Sequence, residues 1–556
     1  MDPSLTLSAR RPVALPRIKP SLLEMASGAV ALAIALPLAV VVLNLFVPRA
    51  EIWAHLAATV LPDYLWNTLL LASGVGAGVT VVGVSCAWLT SMCQFPGRRG
   101  FEWALILPIA MPAYVMAYVY TDFLQFSGPL QTALREWTGW RAGDYVLPDI
   151  RSLGGAIFVL VAVLYPYVYL LARTAFLEQS GSSLETARAL GHGPLRTFFR
   201  VALPLARPAI VAGVALAMME TLADYGTVAY FGVDTFSTGV FRAWFSLGDP
   251  VAAAQIGALL LLGVGCVLAL ERGLRGRSAF HAGPRRAPSP HVLVGGQAAG
   301  AILVCLLPAL GGFVAPLALL LRLAMQDTEP GFSQRFAGLA FNSFTLAGIT
   351  AVLAIVGALA IAYAARLRPG PLANLANRTA GLGYAIPGVV IAVGVLVPVT
   401  WFDRWLAGWL AAQFGIAPQL WLSGTIAALV YAYLVRFMSI SLQTVEAGLA
   451  KIKPSMDDAA RSLGLRPSQA LVRVHAPLLA RSLLAAGLLV FVDVMKELPA
   501  TLAMRPFNFD TLAVQTYNLA KDERLAEASV VALAILAVGM IPVFMLARTM
   551  ARRQGA

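Results

Sequence analysis

The sequence predicts an all-α integral membrane protein. Of its 556 residues, 59% are hydrophobic and only 12% are charged, whereas soluble proteins have roughly 45–50% apolar and about 25% charged residues. Apolar stretches of about 20 residues, the length that crosses the hydrocarbon core of a bilayer, recur twelve times. Four widely separated cysteines form neither a disulfide framework nor a zinc-binding spacing. These observations exclude a soluble or disulfide-stabilised protein.

We number these stretches spans 1 to 12. The predicted bounds are 26–47, 67–91, 102–124, 153–176, 207–230, 251–271, 297–322, 342–365, 379–400, 421–445, 480–503 and 529–547. Span 1 follows four basic residues and lacks a small-residue cleavage site at its end, so we interpret it as a retained span rather than a removed signal peptide.

The basic residues predict how the chain is oriented. Lys and Arg concentrate in loops that stay cytoplasmic. If the N-terminus is inside, the termini and the loops predicted to be cytoplasmic hold 28 of the 41 Lys and Arg residues. The net charge of +13 is then explained by topology and gives no reason to expect nucleic acid as a partner. We therefore expect a multi-pass protein of the bacterial inner membrane, surrounded by lipid, with both termini cytoplasmic.

The chain divides into two similar halves, 1–270 and 297–556, joined by a basic, Pro- and Gly-rich cytoplasmic linker over 271–296. Asn67-Thr68 at the start of span 2 recurs as Asn342-Ser343 at the start of span 8, and Pro112 recurs as Pro387, each at an offset of 275. Beyond these positions the offset becomes 273. Such internal repetition indicates duplication.

The clearest repetition lies in two predicted cytoplasmic loops, 182–204 and 455–477, which we call repeat loops 1 and 2. Each begins with the spacing of a capping box, Ser182 with Glu185 and Ser455 with Asp458. A glycine nine residues after the serine can end the helix in the left-handed conformation. Each loop is therefore predicted to hold a helix of about two turns, and its protrusion predicts a protein partner.

Repeat loops 1 and 2 resemble the EAA loop of ABC importer permeases. Repeat loop 1 matches at Glu185, Ala187, Gly191, Val201, Leu203 and Pro204, with Thr186 replacing an alanine. Repeat loop 2 matches at Ala459, Ala460, Gly464, Val474 and Pro477, with Asp458 for Glu and Ala476 for Leu. The resemblance implies two homologous six-helix halves of the type I importer permease fold. It also implies that these helices couple to a cytoplasmic ATPase.

The segments 220–245 and 496–529 resemble fused ferric-iron permeases, in which two permease domains share one polypeptide. That resemblance implies a periplasmic iron-binding protein and a homodimer of a separate ABC ATPase as partners. The chain has no G-x-x-x-x-G-K-[ST] motif, so ATP and Mg²⁺ are expected on the partner subunit. No enzymatic activity and no cofactor are expected of this chain. We interpret His192 and His475 as surface residues.

Two acidic pairs lie inside spans, where ionisable residues are costly and indicate function. Glu220 and Asp224 are predicted on one face of span 5, and adding 273 gives Asp493 and Glu497 in span 11. Four carboxylates along a central path would favour a hard polyvalent cation over sulfate, molybdate or phosphate. The alternative is structural pairing with Lys496, or with polar groups such as Thr221 and Tyr225.

Weaker candidates remain. Six tyrosines in spans 3 and 4 could offer phenolate ligands, although packing is the favoured interpretation: Tyr114, Tyr118, Tyr120, Tyr165, Tyr167 and Tyr169. The loops after spans 5 and 11, near Asp234 and Asp510, match at Thr238 and Thr511 with the 273 offset and could receive a binding protein.

The main competing class is a proton-coupled secondary transporter with twelve spans, in which the acids would carry protons. Within the ABC class, permeases for thiamine, polyamines or sulfate share the same kind of loop, so the loops alone do not identify the substrate.

Overall fold

The computed structural model describes residues 22–141, 143–179, 190–191, 193–275, 291–326, 332–417 and 419–554. In these ranges the chain is almost entirely helical, and eleven helical segments are long and apolar enough to cross a membrane. A twelfth crossing consists of two helices that meet at an angle of 97°. The described part of the chain therefore agrees with the predicted twelve spans.

Spans 1 to 6 are formed by Leu22–Leu43, Leu61–Met92, the bent pair Arg98–Ala110 and Ala113–Thr138, Leu153–Glu178, Phe198–Ala223 and Pro250–Arg275. Spans 7 to 12 are formed by Gly296–Ala324, Phe332–Leu367, Gly388–Phe414, Ile426–Leu449, Pro467–Met495 and Leu525–Gln554. Shorter helices at Ala50–Thr59, Gly226–Tyr230, Phe236–Phe241, Pro371–Gly381, Pro454–Ser462, Pro499–Met504 and Leu512–Lys521 connect them.

The duplicated prolines have the same structural role in both halves. Pro112 and Pro387 are each the N-cap residue of a helix, and each follows a short 3₁₀ helix, Leu107–Ala110 or Gly383–Ala385. Proline fits such a position because it lacks the amide hydrogen that a helix interior requires. This break bends span 3 and sets the start of span 9.

Spans 5 and 11 differ from the predicted bounds at both ends. Span 5 begins as an α-turn at Pro194–Thr197, passes through a π-helical turn at Phe198–Ala202 and ends at Ala223. Span 11 repeats this order from Pro467 and ends at Met495. The predicted ends at 230 and 503 were wrong because the apolar composition continues across a break in the helix. A short helix follows each break.

The first span of each half packs against the other half. Span 1 lies against the second half: its Ala33 carbonyl accepts a hydrogen bond from the Tyr431 hydroxyl, at 2.5 Å. At the crossing of spans 1 and 9, a Cβ atom at Gly394 would lie 2.6 Å from the Pro37 carbonyl oxygen. Span 7 in turn lies against the first half, where the Tyr120 hydroxyl donates to the Gly311 carbonyl. The two halves are therefore interlocked.

The helix of span 6 continues to Arg275, inside the predicted linker 271–296. Residues 276–290 lie outside the described ranges. The chain after them forms a two-residue parallel ladder, in which His291–Val292 pairs with Cys93–Gln94 at the end of span 2. Span 7 begins at Gly296, close to its predicted start.

Candidate functional site at the interface of the two halves

The four predicted intramembrane acids line one cavity of about 140 Å³. Spans 3, 4 and 5 form one wall, and spans 10 and 11 with the turn before span 9 form the other. The polar lining residues are Tyr114, Tyr167, Glu220, Asp224, Tyr384, Arg436, Asp493, Lys496 and Glu497. Such a volume holds several water molecules. The structure thus brings together residues that are more than 270 positions apart in the sequence.

Asp224 and Glu497 have equivalent positions at the breaks after spans 5 and 11. Oδ1 of Asp224 accepts hydrogen bonds from the amides of Thr227 and Val228, at 3.0 and 3.2 Å. Glu497 likewise accepts from the amides three and four residues later, both at 3.0 Å. Each carboxylate therefore caps the short helix that follows it. The expectation that Glu220 and Asp224 share one helical face was wrong, because the helix ends at Ala223.

The two acids of the second half are paired with cations. Lys496 lies 2.8 Å from Asp493, as the structural-pairing alternative predicted. Arg436 of span 10 lies 3.2 Å from Glu497, and both side chains are buried. Sequence reasoning missed Arg436, although an arginine inside an apolar span was a signal that could have found it. The Thr227 hydroxyl donates a hydrogen bond to the carboxylate of Asp224, whereas the suggested partner Thr221 turns its hydroxyl to the carbonyl of Ala217.

Two tyrosines line the cavity together with Glu220, Tyr167 from the first half and Tyr384 from the second. Tyr114 lines the same cavity. Of the other predicted tyrosines, Tyr118 and Tyr165 are fully buried in the core, as the packing interpretation expects. Phenol groups at the cavity thus come from both halves.

The described residues include no group of three or more His, Cys, Asp or Glu side chains that could hold a metal ion. The acids are spread along the cavity wall, and two of them are neutralised by cations. The arrangement is therefore an acidic surface along a path, chemically distinct from a closed metal cage.

Repeat loop 2 forms the helix Pro454–Ser462. Asp458 is exposed on it and pairs with Arg461 at 2.5 Å. Ala460 is buried, and Gly464 takes the predicted left-handed conformation with φ +75°. The predicted capping box was wrong, since the helix begins at Pro454 and Lys453 is its N-cap residue. Proline supplies the first turn without needing the serine cap.

Repeat loop 1 is described only in part, since Glu185, Ala187 and His192 lie outside the described residues. Gly191 has φ +78°, matching its counterpart in repeat loop 2. Pro204 lies in the first turn of the helix Leu203–Ala223, and Pro477 has the same place in Ala476–Met495. At the positions described in both loops, each has a left-handed glycine and a proline in the first turn of the helix that follows.

A partly buried polar network anchors repeat loop 2. The carboxylate of Asp457 lies 2.7 Å from Arg366 at the end of span 8 and 2.8 Å from Nε2 of His475. The same guanidinium donates to the carbonyls of Leu449 and Ile452. His475 is fully buried, so its interpretation as a surface residue was wrong. Asp457, next to the motif residue Asp458, is therefore the acid that holds repeat loop 2 against span 8.

The loops after spans 5 and 11 match in a different register from the one predicted. Asn67 donates to the carbonyl of Asp234 at 2.9 Å, and Asn342 donates to that of Asp510 at 3.1 Å. These contacts set an offset of 276, so Thr511 corresponds to Thr235, and both are helix N-cap residues. The predicted match with Thr238 was wrong by three residues, because the second loop is longer.

Residues 79–272 and 354–555 each match the family described as "Binding-protein-dependent transport system inner membrane component". The chain belongs to this family and carries two of its domains, so it is a fused ABC importer permease. The proton-coupled carrier is thereby excluded. Permeases of this family work with an ATPase and a substrate-binding protein. The relatives that the chain matches are permease subunits of transport systems.

Relatives with stated substrates differ in how much of the chain they match. Over 493 residues the chain is 26% identical to the Fe(3+)-transport system permease protein FbpB 2 of Haemophilus influenzae, which covers 87% of this chain and 89% of that protein. It is 30% identical over 177 residues to the molybdenum transport permease ModB of Escherichia coli, covering 31% of this chain and 74% of ModB. The sulfate permease CysW of Escherichia coli is 30% identical over 171 residues, covering 30% of this chain and 56% of CysW.

Proposed function

We propose that this chain is the membrane path of an ATP-driven importer that moves ferric iron from a periplasmic binding protein into the cytoplasm. The observation that carries this proposal is the charge of the central cavity, which four carboxylates and only two cations line. A hard trivalent cation is attracted by carboxylate oxygens. The similarity to a ferric-iron permease over most of both chains supports the same substrate.

Molybdate and sulfate are oxyanions, and the same charges oppose them. Two unit charges 4 Å apart interact by roughly 4 kcal/mol at the effective dielectric constant of about 20 found near protein surfaces. A divalent anion beside Glu220 would meet this repulsion, which the Lys496 ammonium offsets only in part because it is paired with Asp493. The molybdenum and sulfate relatives each match less than a third of this chain. The same acids would also attract a polyamine or the cationic thiamine, so iron is preferred over these solutes because of the similarity to a ferric-iron permease over most of both chains.

The coupling roles follow from repeat loops 1 and 2. We assign Glu185, Ala187, Gly191 and Pro204 to contact with one subunit of a cytoplasmic ATPase homodimer. The matching set in repeat loop 2, assigned to the other subunit, is Asp458, Ala460, Gly464 and Pro477. ATP and Mg²⁺ are bound by that partner, which hydrolyses the nucleotide, and this chain catalyses no reaction.

The transport cycle is alternating access. When ATP closes the ATPase dimer, the two loop helices move inward with their clefts. Spans 5 and 11 continue directly from repeat loops 1 and 2 through the π-helical turns, so their displacement opens the cavity toward the periplasm. This scheme places the chain in the bacterial inner membrane with both termini cytoplasmic.

The substrate is tested by deleting the chain from its host and measuring uptake of radioactive ferric iron, molybdate and sulfate under iron limitation. Loss of iron uptake alone, restored by the intact chain, is the expected result. Unchanged iron uptake with loss of another solute would overturn iron as the substrate. A variant with Gly191 and Gly464 both changed to Val serves as an uncoupled control, since a β-branched residue is strained in the left-handed region.

A further inference from the structure

The connections between spans 3 and 4 and between spans 9 and 10 emerge on the same side of the membrane. Spans 4 and 10 each separate one of these connections from a repeat loop, so both connections lie on the face opposite repeat loops 1 and 2. Because the repeat loops are assigned to a cytoplasmic ATPase, the connections face the periplasm. Each of them carries several large apolar side chains that are exposed.

The helix of span 9 extends beyond the bilayer. It begins at Gly388, where a Cβ atom would lie 2.7 Å from Oε1 of the cavity residue Glu497, and it ends at Phe414 after 27 residues. At a rise of 1.5 Å per residue this helix is about 40 Å long. Half a bilayer with its headgroups is only about 20–22 Å thick, and a tilt of 40° would still place Phe414 about 30 Å above the cavity. The last turns of the helix therefore stand beyond the headgroups.

Two aromatic residues at the end of this helix, Trp409 and Phe414, form what we call aromatic patch 2. Their ring centroids are 5.6 Å apart, and the residues are 46% and 65% exposed. The returning chain is fixed against the helix, because the carboxylate of the fully buried Asp403 accepts hydrogen bonds from the amides of Leu422 and Ser423. A surface held in this way loses little conformational entropy when a partner binds.

The first half presents a similar surface, aromatic patch 1, formed by Trp137 and Trp140. Trp137 is 87% exposed, and Trp140 stacks on Tyr145 with the ring centroids 5.9 Å apart. Arg135 donates a hydrogen bond of 2.9 Å to the Tyr145 hydroxyl, which itself donates to Gln131 at 2.9 Å. Each half therefore holds an exposed tryptophan on a fixed support, although the supporting residues differ.

Exposed aromatic clusters of this kind mark interaction sites. Tryptophan is enriched at interface hot spots because it supplies a large contact area at a low cost in conformational entropy. Aromatic residues also collect at the surface of a bilayer, but aromatic patch 2 lies beyond the headgroups. The family is described as binding-protein-dependent, so a soluble protein delivers the solute on the face that carries both patches.

We propose that aromatic patches 1 and 2 together form the docking surface for the periplasmic substrate-binding protein. This inference rests on the proposed function, in which such a protein delivers the solute, and deepens it by locating the surface that the protein contacts. One patch on each half places the docked protein across the boundary between the halves, where the central cavity lies.

The test is photo-crosslinking in intact host cells. The photoreactive amino acid p-benzoylphenylalanine replaces Trp409 or Trp137 in the full chain, the cells are illuminated, and molecules joined to the purified chain are identified by mass spectrometry. The expected product at both positions is a periplasmic solute-binding protein. Absence of that product at either position, with lipid or nothing joined instead, would overturn the docking surface.

The matched control is Trp401, which lies on the same helix and is 71% exposed. It is about 20 Å from the start of the helix and so reaches only the level of the headgroups. The photoreactive residue at this position is expected to join lipid and no protein. An equal yield of the binding protein at Trp401 would show that aromatic patch 2 is not selective and would also overturn the proposal.

A second measurement is uptake of whichever solute the deletion strain fails to import. Trp137→Ala with Trp409→Ala is expected to lower the initial rate at least about tenfold, since truncating a single hot-spot residue costs more than that factor in affinity. Trp401→Ala, and the conservative pair Trp137→Phe with Trp409→Phe, should retain most of the uptake. Immunoblotting of membranes shows that each variant is present. Full uptake by the double alanine variant would contradict the docking role.

The outcomes separate this inference from the proposed function. If Trp137 and Trp409 are joined to a binding protein but deleting the chain leaves iron uptake unchanged, the docking surface is supported and ferric iron as the substrate is wrong. If iron uptake requires the chain but both positions join only lipid, iron import is supported and the docking surface is wrong.

Discussion

The buried ion pair between Arg436 and Glu497 gives a prediction with a magnitude. The guanidinium lies 3.2 Å from Oε1, and the side chains are 10% and 2% exposed. Arg436→Met leaves the carboxylate buried with only neutral donors, namely the amides of Ala500 and Thr501 and one hydroxyl. Removing one partner of a buried pair costs about 3–5 kcal/mol. The variant is therefore expected to lose that much stability.

Adding Glu497→Gln to Arg436→Met should restore most of the loss. The double variant has no buried charge at this position, and the amide oxygen of glutamine still accepts from the helix that Glu497 caps. The remaining cost is one or two hydrogen bonds, about 1 kcal/mol each. The double variant is therefore expected to be more stable than Arg436→Met alone, by roughly 2 kcal/mol or more.

The assay is equilibrium unfolding of the purified chain in mixed micelles, with increasing dodecyl sulfate, followed by helix content. The control is Asp234→Asn, which breaks the exposed pair with Arg242 at 2.7 Å, where the side chains are 39% and 45% exposed. Such a pair contributes at most about 1 kcal/mol. Additive losses in the double variant, or a control as damaging as Arg436→Met, would refute the reasoning.

Five further variants test the coupling loops, the polar network behind repeat loop 2 and the close packing at the cavity. Gly464→Val, at φ +75°, should abolish transport while leaving membrane insertion intact, as should Gly191→Val at φ +78°, and uptake retained in both variants would contradict the coupling role. Asp457→Asn should lower stability by about 1–3 kcal/mol because the acid pairs with the partly buried Arg366 and the buried His475, whereas Asp458→Asn, exposed at the surface, should change micellar unfolding by less than about 0.5 kcal/mol. Gly388→Ala places a methyl group 2.4 Å from a guanidinium nitrogen, so its unfolding midpoint should fall, and an unchanged midpoint would show that this contact relaxes freely.

Much of the architecture was predictable because it depends on local properties. Apolar length determines whether a helix crosses a bilayer, so twelve spans could be counted from composition. The equivalence of Asp224 with Glu497 followed from a constant offset, and the structure shows the same capping geometry for both. The left-handed conformation of Gly464, which ends the helix of repeat loop 2, was predicted from its place after a short helix.

The errors share one cause, which is that composition does not record breaks or distant partners. Spans 5 and 11 end early because a carboxylate caps a new helix inside an apolar run. His475 was interpreted as a surface residue because the sequence does not show that Tyr363 of span 8 and Asp457, earlier in the same loop, lie against it. The match between the loops after spans 5 and 11 was predicted in the wrong register because the second loop contains extra residues of similar composition.

The sequence by itself determined the membrane class, the two halves, the repeat loops and the identity of the four acids, since hydropathy and repetition are properties of neighbouring residues. Only the tertiary structure decided which acids have cationic partners. Arg436 lies 61 residues from Glu497 along the chain, and Tyr384 lines the same cavity as Glu220 from the other half. Ion pairs form only between groups a few ångströms apart in space, so the fold decides which charges meet. Acids at equivalent sequence positions therefore have different partners and different roles.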